Sequence, residues 1–254
     1  MMGNNQIIQS RLFLQYDNIV HGISTKPGSN APPPYFNNLS FHVGDDKENV
    51  KSNRDMFFGA LEIDQSNLAI PGQIHSENVK IINNPGFYPE TDALITQSEN
   101  VFLIISTADC HSILINDPAK KIIAAVHSGW RGTQKKILTK TLNIMTDEMG
   151  CAKEDMLFFI GPGISSNNFE VGSEVSELFE SRFVHSKNGK YFVDLKAHIL
   201  GQLQGCGIQP GSIDTYPLCT YNEKDLLHSY RRDKEKSGRM FSVIGMKGQP
   251  GAAG

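Results

Sequence analysis

Three short apolar runs between residues 101 and 126 constrain the fold of this chain most strongly. They are rich in β-branched residues and are separated by polar residues, and Asp117-Pro118 is typical of a hairpin turn. Cys110 follows the first run and His127 follows the third. A thiol and an imidazole are therefore expected at the ends of neighbouring strands.

His75, in the segment Gln73-Ile-His, is a third residue of metal-ligand type at the edge of a predicted strand. It lies 35 residues before Cys110, and His127 lies 17 residues after it. Closed structural zinc sites use closely spaced ligand pairs, so this spacing predicts a site that only the fold can assemble. Such ligands suit zinc or copper, and three of them leave one position open. Taken singly, each residue is more often a buried thiol or a hydrogen-bonded core histidine than a metal ligand.

The segment after His127 predicts a turn followed by a helix. Gly129 and Gly132 permit a tight turn, and Thr133 is a suitable N-cap. Arg131 between the glycines is a candidate anion holder, because a guanidinium and the free N–H groups of a helix start would converge there. The alternative is an ordinary strand-to-helix connection with a solvated arginine.

Eight short motifs, in order along nearly the whole chain, resemble those of the YfiH family. This family has been labelled multicopper polyphenol oxidoreductases or laccases, and also purine nucleoside phosphorylases with adenosine deaminase activity. The motifs are Gln73-Ile-His75, Thr91-Asp-Ala-Leu94, Ala108-Asp-Cys110, His127-Ser-Gly-Trp-Arg-Gly132, Gly161-Pro-Gly-Ile164, Phe169-Glu-Val-Gly172, Cys219-Thr220, and Ser229-Tyr-Arg-Arg-Asp233 with Gly238-Arg-Met240.

The resemblance implies that His75, Cys110 and His127 are catalytic zinc ligands beside a nucleoside pocket. It also implies an α+β fold, a single-domain layered sandwich of mixed β-sheets with flanking helices. Some positions depart from the family pattern, including His111-Ser112 where an apolar residue and proline are usual. These departures leave the substrate preference open, and His111 is a candidate for a further metal or substrate contact.

Several other polar residues are candidates for the pocket. Asp109 and Glu170 are candidate proton donors or bases, and His42 either faces substrate or caps the helix that starts near Lys47. Capping of that helix by Asp45 or Asp46 is favoured, because helix N-termini prefer carboxylates.

A basic cluster near the C-terminus offers further candidates. Its members are Arg231, Arg232 and Arg239. We interpret Arg232 as a surface partner of Asp233, and Arg231 and Arg239 as open candidates for binding phosphate.

The composition fits one soluble intracellular domain. The chain has 254 residues, a formal charge of -3 and 39% hydrophobic residues, which indicates a full core and no general attraction to nucleic acid. The four cysteines show no disulfide spacing, and no signal peptide or membrane span is evident. We therefore expect a cytoplasmic protein with a catalytic domain over 1–245 and a mobile tail over 246–254. Helices are predicted near 47–60, 133–149, 171–183 and 194–204.

The sequence thus predicts a zinc-dependent purine nucleoside phosphorylase that also deaminates adenosine, acting on small molecules and on neither nucleic acid nor membrane. A copper-dependent polyphenol oxidoreductase, which would act on phenols, is the first alternative, although eight histidines without a His-x-His pair are few for several copper centres. A cysteine hydrolase or amidase with Cys110 as nucleophile and His127 as base is the second.

Overall fold

Two large β-sheets form the centre of the computed structural model, which describes residues 7–28 and 31–248. One sheet has the strand order β1-β14-β6-β2-β4 and the other has the order β13-β9-β7-β8-β5-β3, while β10, β12 and β11 form a small third sheet. Both large sheets contain parallel and antiparallel pairs. The strands are β1 Ile19–Ile23, β2 Leu68–Gly72, β3 Val79–Ile81, β4 Gly86–Pro89, β5 Ala93–Thr96, β6 Phe102–Thr107, β7 His111–Asp117, β8 Ile122–Ser128, β9 Leu157–Ile160, β10 Glu170–Val171, β11 Val184–Lys187, β12 Lys190–Val193, β13 Ile213–Thr215 and β14 Met240–Met246.

The helices flank these sheets. They are α1 Lys47–Ala60, α2 Trp130–Gln134, α3 Ile137–Asn143, α4 Ser173–Ser176, α5 Leu195–Gly205 and α6 Tyr230–Asp233. None of the helices in the described ranges is long and apolar enough to cross a membrane.

Alternating side chains on the strands divide the core into layers. On β7, Leu114 points between the two large sheets, whereas Ile113 and Ile115 pack against α3 and α5. On β6, Leu103 joins the core between the sheets and Ile104 packs against α1 on the outer side. The result is a helix–sheet–sheet–helix sandwich, which confirms the predicted α+β layered fold.

The predicted hairpin and two predicted helices are confirmed. Residues 111–117 pair antiparallel with 122–128 across the turn that contains Pro118. Helix α1 begins after Asp46, whose carboxylate accepts hydrogen bonds from the backbone N–H groups of Glu48 at 2.8 Å and Asn49 at 3.3 Å. Asp46 is therefore the N-cap, and α5 begins within a residue of its predicted start.

The predicted continuous helix over 133–149 is wrong. Helix α2 starts at Trp130 with Gly129 as N-cap, and Thr133 lies inside it with its hydroxyl 2.8 Å from that of Ser128. Lys136 adopts a left-handed conformation with φ of 61°, which ends one helix and starts the next. A wider π turn over Ile144–Glu148 then replaces the last part of the expected helix.

The predicted helix over 171–183 is also wrong. Glu170 and Val171 instead pair with β12, so the backbone N–H and C=O groups of this segment go to a sheet. Only the four residues of α4 and a 3-10 turn at Ser181–Phe183 are helical there.

The predicted tail lies mostly outside the described residues. Met246, its first residue, is the last residue of β14 and is 1% exposed. Lys247 donates to Glu62 at 2.7 Å, and positions 249–254 lie beyond the described part of the chain.

Replacing Asp46 with Ala should lower the free energy of unfolding by about 1 kcal/mol, because the cap of α1 is lost. Lys51→Ala, an exposed change within the same helix, should alter it by less than about 0.5 kcal/mol. Denaturant titration followed by circular dichroism measures both. Equal effects of the two substitutions would contradict the assigned capping role.

Candidate metal centre

Three side chains from distant parts of the chain meet at one edge of the sandwich. The ligand atoms of His75, Cys110 and His127 lie within 4.8 Å of one another. His75 follows β2 and has a φ of 61°, Cys110 immediately precedes β7, and His127 is the second-last residue of β8. Since β2 belongs to one large sheet and β7 and β8 to the other, the site is assembled where the two sheets meet.

Gly129 leaves the space that these three side chains share. A Cβ atom added there would lie 2.8 Å from the sulfur of Cys110 and 3.2 Å from Cδ2 of His75. The first distance is shorter than real Cβ contacts, so any larger residue at this position would displace the thiol. The glycine predicted for its turn conformation therefore also serves to keep the centre open.

Asp92, a buried carboxylate, holds both histidine-bearing segments. Its Oδ1 lies 2.8 Å from Nδ1 of His127 and also accepts the backbone N–H of His75 at 3.0 Å. Its Oδ2 accepts the backbone N–H groups of Ile74 and Ser76 and the hydroxyl of Ser76. A carboxylate that pairs with Nδ1 is the usual outer partner of a metal-binding histidine. This pairing leaves Nε2 of His127 free to face the thiol of Cys110.

The charges of the centre favour a thiolate. Burial raises the pKa of Cys110, but the charge of His127 and hydrogen bonds from His127 and His75 outweigh it and lower that pKa to about 6. Burial likewise opposes the charged form of His127, yet Cys110 and Asp92 raise its pKa. Burial also raises the pKa of Asp92, but its bonds to His127 and Ser76 lower it to about 2. A thiolate is the form that binds metal or acts as a nucleophile.

The donor set fits a metal ion. One thiolate and two imidazoles are ligands for zinc or copper, and donors around one such ion lie up to roughly 4 to 4.6 Å apart. The ligand atoms of the three side chains lie within 4.8 Å of one another, which is close to this span. These residues therefore form a candidate metal site, and three protein ligands leave one coordination position open.

Asp109, next to Cys110, is engaged on both carboxylate oxygens. Oδ1 accepts the hydroxyl of Thr220 at 2.7 Å, and Oδ2 accepts the backbone N–H of Arg231 at 2.6 Å. Asp109 has a φ of 93°, so the turn carrying Cys110 is held in an unusual conformation by these contacts. It thereby fixes α6 beside the metal centre.

His111 does not join the ligand cluster. Its ring is fully buried and packs against Gly163, and its Nδ1 lies 3.1 Å from the carbonyl oxygen of Gly161. Burial lowers its pKa to about 4, so the ring is neutral. His111 therefore lies outside this ligand cluster, and a further metal or substrate contact from it stays a prediction.

Three other candidates lie at the surface. His42 is exposed in the loop before α1, and Glu170 forms an ion pair with Lys190 at 2.9 Å. Arg131 is exposed on α2, with its guanidinium carbon 4.3 Å from the centroid of the Trp130 ring. The fold does not bring these side chains into the ligand cluster.

Sequence reasoning missed the role of Asp92. It lies in the motif Thr91-Asp-Ala-Leu94, but its partner His127 is 35 residues away, and no spacing rule links a buried carboxylate to such a histidine. The position of this carboxylate, directly before the apolar strand β5, was the one signal in the sequence that could have indicated its role.

The comparisons with known proteins agree on the family. The family described as multi-copper polyphenol oxidoreductase laccase matches residues 20–247. A purine nucleoside phosphorylase of Bacteroides thetaiotaomicron is 34% identical over 248 residues, covering 90% of this chain and 92% of that protein. Another from Deinococcus radiodurans is 33% identical over 240 residues, covering 93% and 92%.

Solved structures give the same result. The hypothetical protein YfiH of Bacillus licheniformis has a TM-score of 0.87 and 28% identity, covering 92% of this chain and 94% of that one. YlmD of Geobacillus stearothermophilus has a TM-score of 0.87 and 25% identity, covering 96% and 100%. The layered sandwich of this chain thus recurs among known structures.

The chain belongs to the multi-copper polyphenol oxidoreductase laccase family, also called the YfiH family. The family description and the names of these curated relatives are those of enzymes.

Asp92→Asn should weaken Zn²⁺ binding by about 10- to 100-fold, because the amide no longer orients His127 as a carboxylate does. Competition with a chromophoric chelator measures the affinity. Asp155→Asn, the same chemical change at an exposed position, should leave it unchanged. An unaltered affinity in Asp92→Asn would show that the carboxylate does not support the site.

In the chelator-treated protein, the rate at which iodoacetamide alkylates Cys110 should rise mainly between pH 5 and 7, because its thiol has a pKa of about 6. Peptide mass spectrometry follows each cysteine separately. Cys151, whose pKa burial and Asp117 raise to about 12, should stay unreactive over this range. His127→Gln should move the midpoint for Cys110 upward, and a profile that the substitution leaves in place would refute the thiolate–imidazole pairing.

Proposed function

We propose that this protein is a zinc-dependent purine nucleoside phosphorylase that also deaminates adenosine. The observation that carries the proposal is the convergence of His75, Cys110 and His127 within 4.8 Å. Relatives named purine nucleoside phosphorylase, at 34% and 33% identity over about nine-tenths of both chains, support the choice of substrate.

When bound, zinc lowers the pKa of a coordinated water towards about 7, which is the chemistry that deamination at C6 of adenine requires. His75, Cys110 and His127 would hold the ion, and three protein ligands leave one coordination position open. Asp92 keeps the proton on Nδ1 of His127, so Nε2 remains available as a donor to the metal.

Asp109 is the better placed of the two proposed proton-transfer residues. It adjoins Cys110, whereas Glu170 is exposed and paired with Lys190. Both oxygens of Asp109 accept hydrogen bonds from the 220–231 region. We therefore propose it as an acceptor of a proton, or as the residue that positions α6 beside the substrate.

A copper-dependent oxidation of phenols is the second candidate. The family description and the donor set favour it, because thiolate and imidazole also bind copper. Against it, the described residues bring together one Cys-His-His cluster, whereas a multicopper enzyme needs several centres.

A cysteine hydrolase or amidase is the third candidate. The specific observation is the order Cys110, His127, Asp92, in which an imidazole lies between a thiol and a carboxylate. The same order serves nucleophilic catalysis in cysteine hydrolases, where the histidine acts as base and a third group orients it.

Cys110→Ser separates these functions. If the thiolate holds zinc, this variant should lose zinc together with at least about 90% of inosine phosphorolysis and adenosine deamination, because a hydroxyl is a poor zinc ligand. Metal analysis and both assays are run side by side, with Cys206→Ser as a matched cysteine control that should keep metal and turnover.

Two results would contradict the proposal. Retained zinc with abolished turnover and a covalent adduct on native Cys110 would identify a nucleophile. Full copper occupancy with phenol oxidation and no nucleoside turnover would identify the oxidoreductase.

A further inference from the structure

Arg239 lies beside the turn that carries the cysteine of the candidate centre. Met240, the first residue of β14, pairs with Thr107, the last residue of β6. Arg239 therefore lies next to the Ala108–Cys110 turn, on the side where β6 leaves its sheet. Its backbone N–H donates to Asn38 at 2.9 Å, which anchors this position.

The guanidinium of Arg239 is partly buried, yet no carboxylate within the described ranges lies at ion-pair distance from it. Its Nη1 donates to the carbonyl oxygens of Ser237 at 2.8 Å and Gly238 at 3.0 Å. Its Nε and Nη2 have no hydrogen-bond partner in the part of the chain that the structure describes. Removing a cation from water without a counter-charge is costly, so the arrangement suits an anionic ligand.

Arg239 contacts Tyr230 and lies near the turn that carries Cys110. Its guanidinium carbon lies 5.5 Å from the centroid of the Tyr230 ring, and Tyr230 belongs to α6, which Asp109 holds by the backbone of Arg231. Burial lowers the pKa of Arg239, while Tyr230, Asp109 and Cys110 raise it. The positive charge of Arg239 is therefore favoured by the nearby Asp109 and Cys110.

The neighbouring arginines have other engagements. Arg232 forms a two-point pair with Asp233, at 2.9 and 2.7 Å, and also donates to backbone carbonyl groups. Arg231 donates to the carbonyl oxygen of Glu170 at 2.7 Å. Arg131 is exposed and lies over Trp130. Of these residues, Arg239 combines partial burial, free donors and proximity to the centre.

We propose that Arg239 binds the phosphate cosubstrate of phosphorolysis, a statement that rests on the proposed function. The Nε and Nη2 donors would take two oxygens of HPO₄²⁻ in the fork geometry that guanidinium groups favour. A third oxygen then forms a bond to C1′ of the ribose while the C1′–N9 bond breaks. The bond's electron pair leaves with the purine, which takes up one proton from phosphate or solvent, and ribose 1-phosphate is formed.

Deamination provides an internal control, because it uses water and needs no phosphate. Arg239→Gln should raise the KM for phosphate in inosine phosphorolysis by at least about tenfold, the loss expected for a charge-assisted hydrogen bond. The KM for inosine, the zinc content and adenosine deamination in phosphate-free buffer should stay within about twofold. Arg239→Lys should recover part of the phosphate affinity, because the charge remains but the fork is lost.

The matched control is Arg182→Gln, which removes an exposed arginine paired with Glu180 and should change none of these quantities. An unchanged KM for phosphate in Arg239→Gln would overturn the proposal, as would a phosphate effect confined to Arg131→Gln. Equal losses of deamination, zinc and phosphorolysis would assign Arg239 a purely structural role and also overturn it.

Calorimetric titration of inorganic phosphate into the zinc-loaded protein separates this proposal from the proposed function. If native protein binds phosphate and Arg239→Gln does not, the anion site stands even where no nucleoside is turned over, and the proposed function alone fails. If native protein binds no phosphate, Arg239 is not an anion site.

Discussion

The buried carboxylate of Asp92 is the interaction on which the candidate centre depends. It accepts hydrogen bonds from the backbone of Ile74, His75 and Ser76, from the Ser76 hydroxyl and from the ring of His127. A charge with no exposed surface is tolerated because so many donors surround it. Since these donors come from the loop after β2 and from β8, one side chain fixes the relative position of two ligands.

The layered sandwich explains why ligands so distant in sequence meet. Strand β6 belongs to one large sheet and β7 to the other, so the Ala108–Cys110 turn crosses between them. His75 arrives from the first sheet and His127 from the second. Asp109 then ties the same turn to Thr220 and to α6, whose Tyr230 contacts Arg239. The candidate metal centre and the proposed phosphate site thus share one structural support.

Sequence reasoning succeeded where local rules govern the chain. Apolar alternation and Asp117-Pro118 predicted the β7–β8 hairpin, and the carboxylate preference of helix starts predicted the cap at Asp46. It failed where a local signal was overridden. The left-handed conformation of Lys136 interrupts an otherwise helical pattern, and pairing with β12 places Val171, the first residue of a predicted helix, in a sheet.

The sequence by itself determined which chemistry is available: a cysteine and two histidines at strand edges, with a glycine beside them. The resemblance of its motifs to a known family singled out those three residues as candidate ligands. Only the tertiary structure decided that Asp92 supports His127, that His111 lies outside the ligand cluster and that Arg239 lies near the turn carrying Cys110. These relations join residues far apart in sequence, and they depend on strand register and sheet packing, which no local pattern encodes.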